Sequence, residues 1–216
     1  TLAVIPTKQK LTEFYQSELA PVIDYLRDNA ETQNIRFAMH MGDLTDTNAA
    51  YGWVNIASAM SALDGAVPYA IVPGNHDYNT GAARDLTRMN NAFPYESRAA
   101  AGSPAFGGAF DKTGASNTYH VFEAGGVHYL VLALEIAPRD AVLAWAKRVV
   151  ESHPTHNVII TTHAYLNQYG DRISGSELQK AYPYLTDDLN GADAIWSEIG
   201  GVYENVKMIL CGHWLY

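Results

Sequence analysis

The sequence predicts a layered α/β domain, and three observations predict it. Short apolar runs alternate with longer stretches of helical spacing. Four of the runs end in polar blocks: Gly42-Asp43-Leu44-Thr45-Asp46, Gly74-Asn75-His76-Asp77, Thr161-Thr162-His163 and Cys211-Gly212-His213. At 216 residues, 48% hydrophobic and 17% charged, the chain suffices for one large core. One domain over residues 1–216 is therefore expected, with no repeat, low-complexity tract or linker dividing it.

The elements follow in order. Leu2-Ala3-Val4-Ile5 reads as an opening strand, and Lys8 to Asn29 carries helical spacing at Leu11, Phe14, Tyr15, Leu19, Val22, Ile23 and Leu26. Ile35 to Met41 is a strand running into Gly42, Ala49 to Leu63 a helix and Val67 to Val72 a strand. Pro73-Gly74 then forms a turn that exposes Asn75 and His76. Phe93 to Ser116, rich in Gly, Ala, Ser and Pro around Pro104 and Gly107-Gly108, reads as a long loop, usually a functional lid or rim. Tyr119 to Phe122 and Val127 to Leu134 pair as a hairpin through Gly125-Gly126. Ala141 to Val150 is a helix, Asn157 to Thr161 a buried strand and Tyr165 to Asn190 a polar connection. A short helix from Ala192 to Ile199 leads into the last strand, Val206 to Cys211.

Composition narrows the function classes. No stretch reaches the roughly 18 to 20 apolar residues of a membrane span. A net charge of −9 disfavours a broad nucleic-acid backbone interaction, which needs clustered Lys and Arg, though a local nuclease cleft stays open. Cys211 is the only cysteine, so no intrachain disulfide forms; within its apolar run a buried structural thiol is expected. No signal peptide is visible, and a start directly on a strand suits a mature or trimmed chain.

Polar blocks at strand ends point to a metal site. In an open α/β sheet, ligands gather beyond the carboxyl ends of the strands, so residues distant in sequence converge. Asp43, Asn75, His163 and His213 would supply carboxylate, amide and imidazole donors. Such a mixed oxygen and nitrogen set suits Mn, Fe or Zn better than a thiolate-loving ion or an all-oxygen Ca site.

The ordered blocks G-D-x-x-D, G-N-H-D, a lone His after an apolar strand and a late G-H resemble the calcineurin-like metallophosphoesterase superfamily, from Ile5 to His213. The resemblance implies a four-layer α/β/β/α sandwich that hydrolyses a phosphomonoester or phosphodiester with two divalent metal ions. It makes Asp43 the carboxylate bridging both ions, with Asn75, His163 and His213 completing one shell. His76 becomes the general acid or phosphoryl stabiliser, and Asp77 the group that holds its ring. The substrate expected is a small phosphorylated molecule. Val72 to Tyr78, Leu130 to Glu135 and Thr162 to Tyr165 are similar to secreted bacterial members, which implies a periplasmic or extracellular protein, with the cytoplasm as the alternative.

Two departures accompany the likeness. The family opens with D-x-H or D-x-Q after the first strand, whereas Thr7-Lys8-Gln9 follows Pro6 here; its last block is G-H-x-H, whereas Leu215 follows Trp214. Segments missing between Pro6 and Thr7 and near Trp214 are the expected explanation. The alternative is a degenerate, non-catalytic binding domain of the same fold, and a nuclease or cyclic-nucleotide phosphodiesterase is the rival among enzymes. Asp46 reads as a helix cap rather than a ligand. His40 either packs or lines the site, while His120, His128, His153 and His156 read as structural. Tyr78, Tyr165, Asn167 and Tyr169 flank the ligands as wall or contact, and Arg84 either reaches a substrate phosphate or lies on a helix surface.

Overall fold

The structure is a computed structural model that describes residues 1–100, 105–186 and 188–214. Pro104 of the expected loop, Asp187 of the polar connection, and Leu215 and Tyr216, where G-H-x-H breaks, lie outside the described residues.

Two sheets carry the fold. The first holds β1 (Leu2–Ile5), β2 (Phe37–His40) and β3 (Tyr69–Ile71) in parallel, in that order. The second runs in the order β4 (Phe106–Ala109), β5 (Thr118–Ala124), β6 (Val127–Ala133), β7 (Asn157–Thr161), β8 (Val206–Leu210). Its first two pairings are antiparallel and its last two parallel.

Period-two alternation sorts the strand residues into layers. Phe37, Met39, Met41, Ala70 and Val72 of the first sheet meet Val131, Ala133 and Ile159 of the second in one apolar layer. On the other face of the first sheet, Ile5, Ala38 and Ile71 pack with α2 (Gln16–Asp28) through Leu19 and Ile23, and with α3 (Ala50–Ser61) through Trp53, Ile56 and Met60. On the outer face of the second, Leu130, Leu132, Val158 and Ile160 pack with Val142, Leu143 and Ala146 of α6 (Asp140–Glu151) and with Ile195 of α8 (Ala192–Ile195). The contacts thus run helix, sheet, sheet, helix, which covers both faces of the parallel strands as their continuous apolar runs require.

Several expected elements change form. The helix expected from Lys8 to Asn29 divides into α1 (Gln9–Phe14) and α2 at Tyr15, whose φ of −137° and ψ of 55° leave the helical region. Phe14 and Tyr15 are exposed, so the core gives the pattern nothing to hold there. The loop expected from Phe93 to Ser116 instead holds α5 (Tyr95–Ala100) and β4, just after α4 (Thr87–Ala92). Phe106 packs edge-on against Tyr95 and His120, a tertiary contact that overrides weak local propensity. The polar connection contains α7 (Gly175–Ala181), started by a capping box in which Ser174 and Glu177 satisfy each other's backbone N–H. The hairpin forms as expected: Gly125 and Gly126 both have positive φ, 63° and 75°, and Ala124 pairs Val127 across a two-residue turn. Cys211 is half-buried against the outer core rather than enclosed in it. No described helix is long and apolar enough to cross a membrane.

Candidate metal centre

The four polar blocks meet at the carboxyl ends of β2, β3, β7 and β8. Gly42 and Asp43 leave β2 with φ of 83° and 50°, and His213 follows β8 at 75°. Left-handed backbone at two non-glycine residues is costly, on the order of 1–3 kcal/mol each, and recurs where a site dictates the geometry. A side chain at Gly42 would lie 2.5 Å from His163 Nδ1, so glycine is required there on both counts.

His163 is the hub. Its Nδ1–H donates to the Met41 carbonyl at 2.7 Å, which turns Nε2 toward the other blocks. Around Nε2 lie His213 Nδ1 at 3.1 Å, Asn75 Oδ1 at 3.2 Å and Asp43 Oδ2 at 3.3 Å. Asp43 Oδ1 accepts the His76 N–H at 3.0 Å, leaving Oδ2 for the cluster. Asp43 and Asn75 come from the first sheet, His163 and His213 from the second. Among the described residues, Asp43, His163 and His213 form the one group of acidic, imidazole or thiol ligand atoms close enough to share an ion.

The electrostatics suit a cation. Burial pushes Asp43 up, but the His163 charge, its hydrogen bond and the His76 N–H outweigh it, and the carboxyl stays below its ordinary value. Burial lowers His163, yet Asp43 more than restores it. His213 is pushed down to about 4 by burial and then by His163, so its imidazole is neutral and its lone pair available. Carboxylate, amide oxygen and two imidazole nitrogens fit a Mn, Fe or Zn ion. Beyond β1, Thr7 Oγ1 and Gln9 Oε1 are buried without a hydrogen-bond partner, and neither brings the carboxylate of the family's opening motif.

A family model described as calcineurin-like phosphoesterase matches residues 14–216. The chain belongs to that family. It is 26% identical over 211 residues to YvnB, an uncharacterised protein of Bacillus subtilis (strain 168), covering 94% of this chain but 15% of that much longer one. Among solved structures it is similar to the purple acid phosphatase PPD1 of yellow lupin, Lupinus luteus (TM-score 0.51, 15% identity, 92% of this chain and 33% of that one). It is also similar to a dimetal phosphatase of Danio rerio (TM-score 0.50, 12% identity, 98% of this chain and 80% of that one). At such identities the two structures speak for the fold alone.

Within this phosphoesterase chain, His76 stands beside the four donors, its Nδ1–H donating to the Asp46 carbonyl at 2.5 Å, so Nε2 is the free nitrogen. Asp77 does not hold that ring. It is fully buried and accepts the N–H groups of Gly74, Leu44 and Thr45 and the Thr45 hydroxyl. Burial and then the Asp43 charge push it up to about 7 against those three N–H donors. Its geometry ties the Asp43 loop to the Asn75 turn. Asp46 is not the cap of α3, whose N-cap is Ala49; its carboxylate pairs with Lys10 at 2.6 Å.

Arg84 lies neither on a helix surface nor toward the donors. Its guanidinium donates to the Thr186 and Ala137 carbonyls and sits 3.6 Å from buried Glu135, clamping loops together. His40 is fully buried on the helix-facing side of β2 with neither ring nitrogen partnered, outside the ligand group. Tyr78 and Tyr165 are buried wall, whereas Tyr169 is exposed. Sequence reasoning missed Tyr182 and Tyr184, which sit in the polar connection yet reach the centre: Tyr182 OH bonds His213 Nε2 at 3.1 Å, and Tyr184 OH donates to the Asn75 carbonyl at 2.8 Å. No local signal marks them. Tyr184, Asn75, His76, Asp46, Asn48 and Arg88 enclose much of a 330 Å³ vestibule next to the cluster. A larger hollow of 490 Å³ opens at the amino ends of β7 and β8, away from the ligands.

Proposed function

We propose that the chain hydrolyses a phosphomonoester or phosphodiester with a divalent metal held by Asp43, Asn75, His163 and His213. The observation that carries this reading is the convergence of those four donors at four strand ends, beside a histidine that lines a vestibule.

When bound, such an ion supplies Lewis acidity, drawing charge from the phosphoryl oxygens and acidifying a water at neutral pH. The protein's own part is positional. Met41 and Tyr182 fix the ring planes of His163 and His213, and Asp77 holds the Asp43 loop against the Asn75 turn. With Nδ1–H held by the Asp46 carbonyl, which keeps the ring from turning, His76 in its imidazolium form would donate the Nε2 proton to the departing oxygen. Asp43 Oδ1 is engaged by the His76 N–H, which supports one well-defined metal position; Thr7 and Gln9 favour a second reading in which the site binds a phosphorylated ligand without turning it over.

Metal-free protein titrated with Mn, Zn or Fe against para-nitrophenyl phosphate and its bis-ester tests both. Metal-dependent turnover is expected. It should fall by about 100-fold or more in His76→Ala at saturating metal, whereas Asn75→Ala should shift the metal titration to higher concentration. No turnover with any of these ions in folded protein would overturn the hydrolase reading in favour of the binding one.

A further inference from the structure

We infer that the substrate's leaving group is amphiphilic: a hydroxylated alcohol in the vestibule beside His76, continued by an alkyl or acyl chain lying in a groove between α3 and α4. The inference rests on the phosphoesterase reading above and adds the class of substrate. His76 and the Asp46 that holds its ring both line the vestibule, so a phosphoester bound at the donors would set its alcohol portion there. Asp46, Thr47, Asn48, Asn79 and Thr80 line it with partners for hydroxyl groups.

A second hollow, 470 Å³, adjoins it. Ala50, Trp53, Val54 and Ala57 form one wall at i, i+3, i+4 and i+7, hence on one face of α3; Arg88, Asn91 and Ala92 from α4 form the other. Arg88 lines both hollows. Its guanidinium donates to the Asn48 carbonyl, and Asn48 Oδ1 accepts the Trp53 indole N–H at 2.7 Å. The indole's one donor is thereby satisfied, leaving its rings as an apolar floor. Val54 is 68% exposed on the groove, more than any other large apolar side chain in the described residues except Tyr169. Methyl groups and one indole between two helices suit a chain rather than a charged or planar group. The Arg88 donors at the junction suit a glycerol-type hydroxyl or an ester carbonyl. Asp85, close enough to feel Arg88's charge, weakens its claim on a second anionic group. At 470 Å³ the groove falls within the roughly 300–1,000 Å³ of small-molecule sites.

The test uses Mn-loaded protein with glycerol 3-phosphate and 1-octanoylglycerol 3-phosphate, below the latter's micellar concentration. Each methylene taken out of water is worth about fourfold, so two or three of them predict a kcat/KM at least about tenfold higher for the octanoyl ester. Val54→Glu should bring the ratio toward one, whereas Val202→Glu, an exposed valine away from the groove, should keep it. Calorimetric titration with 1-octanoylglycerol against glycerol reads the groove without turnover, and binding that Val54→Glu abolishes is expected. Turnover of both esters within twofold overturns the inference and leaves the hydrolase reading standing. Octanoylglycerol binding without turnover of either ester supports the groove and counts against the hydrolase reading. Absence of both the binding and the rate preference overturns the inference.

Discussion

Replacing Asp77 by alanine is expected to destabilise the protein by about 3 kcal/mol or more. The carboxylate accepts the Gly74 N–H at 2.8 Å, the Thr45 N–H at 2.9 Å, the Leu44 N–H at 3.0 Å and the Thr45 hydroxyl at 3.1 Å, all in a fully buried setting. The hydroxyl can rotate to another acceptor; the three backbone donors cannot. A buried donor left unpaired costs about 1–3 kcal/mol, so three of them set the figure at its lower bound. Stability in urea, followed by circular dichroism on metal-free protein, measures it as a fall in the transition midpoint at unchanged slope. Asp77→Asn keeps the shape but turns an amide N–H₂ toward N–H donors, and should recover only part of the loss. In a Mn titration the same variants should need more metal for half-maximal activity, because the Asp43 loop loses its tie to the Asn75 turn. A loss below 1 kcal/mol in Asp77→Ala, or an activity defect confined to the pH profile of His76, would refute the reasoning and restore Asp77 as the group that orients His76.

Other consequences are as direct. Gly74→Ala places a methyl group against the Asp43 carboxyl and backbone N, and the resulting displacement, if near 1 Å, should cost about 100-fold in metal-dependent kcat/KM with the circular dichroism spectrum retained. Arg84→Ala uncovers three carbonyls and half the ion pairing of buried Glu135, and should lower stability in urea by about 3 kcal/mol. His40 is pushed down to about 3 by burial and then by the His163 charge, so the unfolded chain takes up a proton that the folded one refuses. Its contribution is whole above pH 6.5 and drains away as the pH falls toward 3; between pH 6.5 and 5 the metal-free protein should lose about 2 kcal/mol that His40→Gln does not.

Strand ends and glycine turns were the legible part of this molecule. Phe37 to His40, Asn157 to Thr161 and the Gly125-Gly126 hairpin stand where period and turn chemistry put them, because burial on both faces and positive φ leave few alternatives. The convergence of Asp43, Asn75, His163 and His213 was legible for the same reason: each stands two to four residues past a strand end, so finding the strands brought them to one edge. What escaped depends on contacts between distant residues. Whether Asp77 turns toward His76 or toward Gly74 is decided by loop closure, not by adjacency in sequence. Tyr182 and Tyr184 reach the centre through the segment that follows α7, and α7 itself is marked by Ser174 and Glu177, a capping pair hidden in a polar stretch. Residues 93–109 offered too little apolar periodicity for α5 or β4, which lean on Tyr95, Phe106 and His120.

The division of the four donors between the sheets has a consequence for assembly. All strands of the first sheet precede all strands of the second in the chain, so each sequence half carries two of the four donors and neither carries the full set. An ion gripped by all four is a staple between halves. It rewards only the docked arrangement, by about 2.7 kcal/mol at a free concentration one hundred times its dissociation constant. Two co-expressed fragments, divided between the sheets, would then associate more tightly when Mn is added and come apart with a chelator. The donor cluster would thereby serve as a gauge of how firmly its two walls are joined.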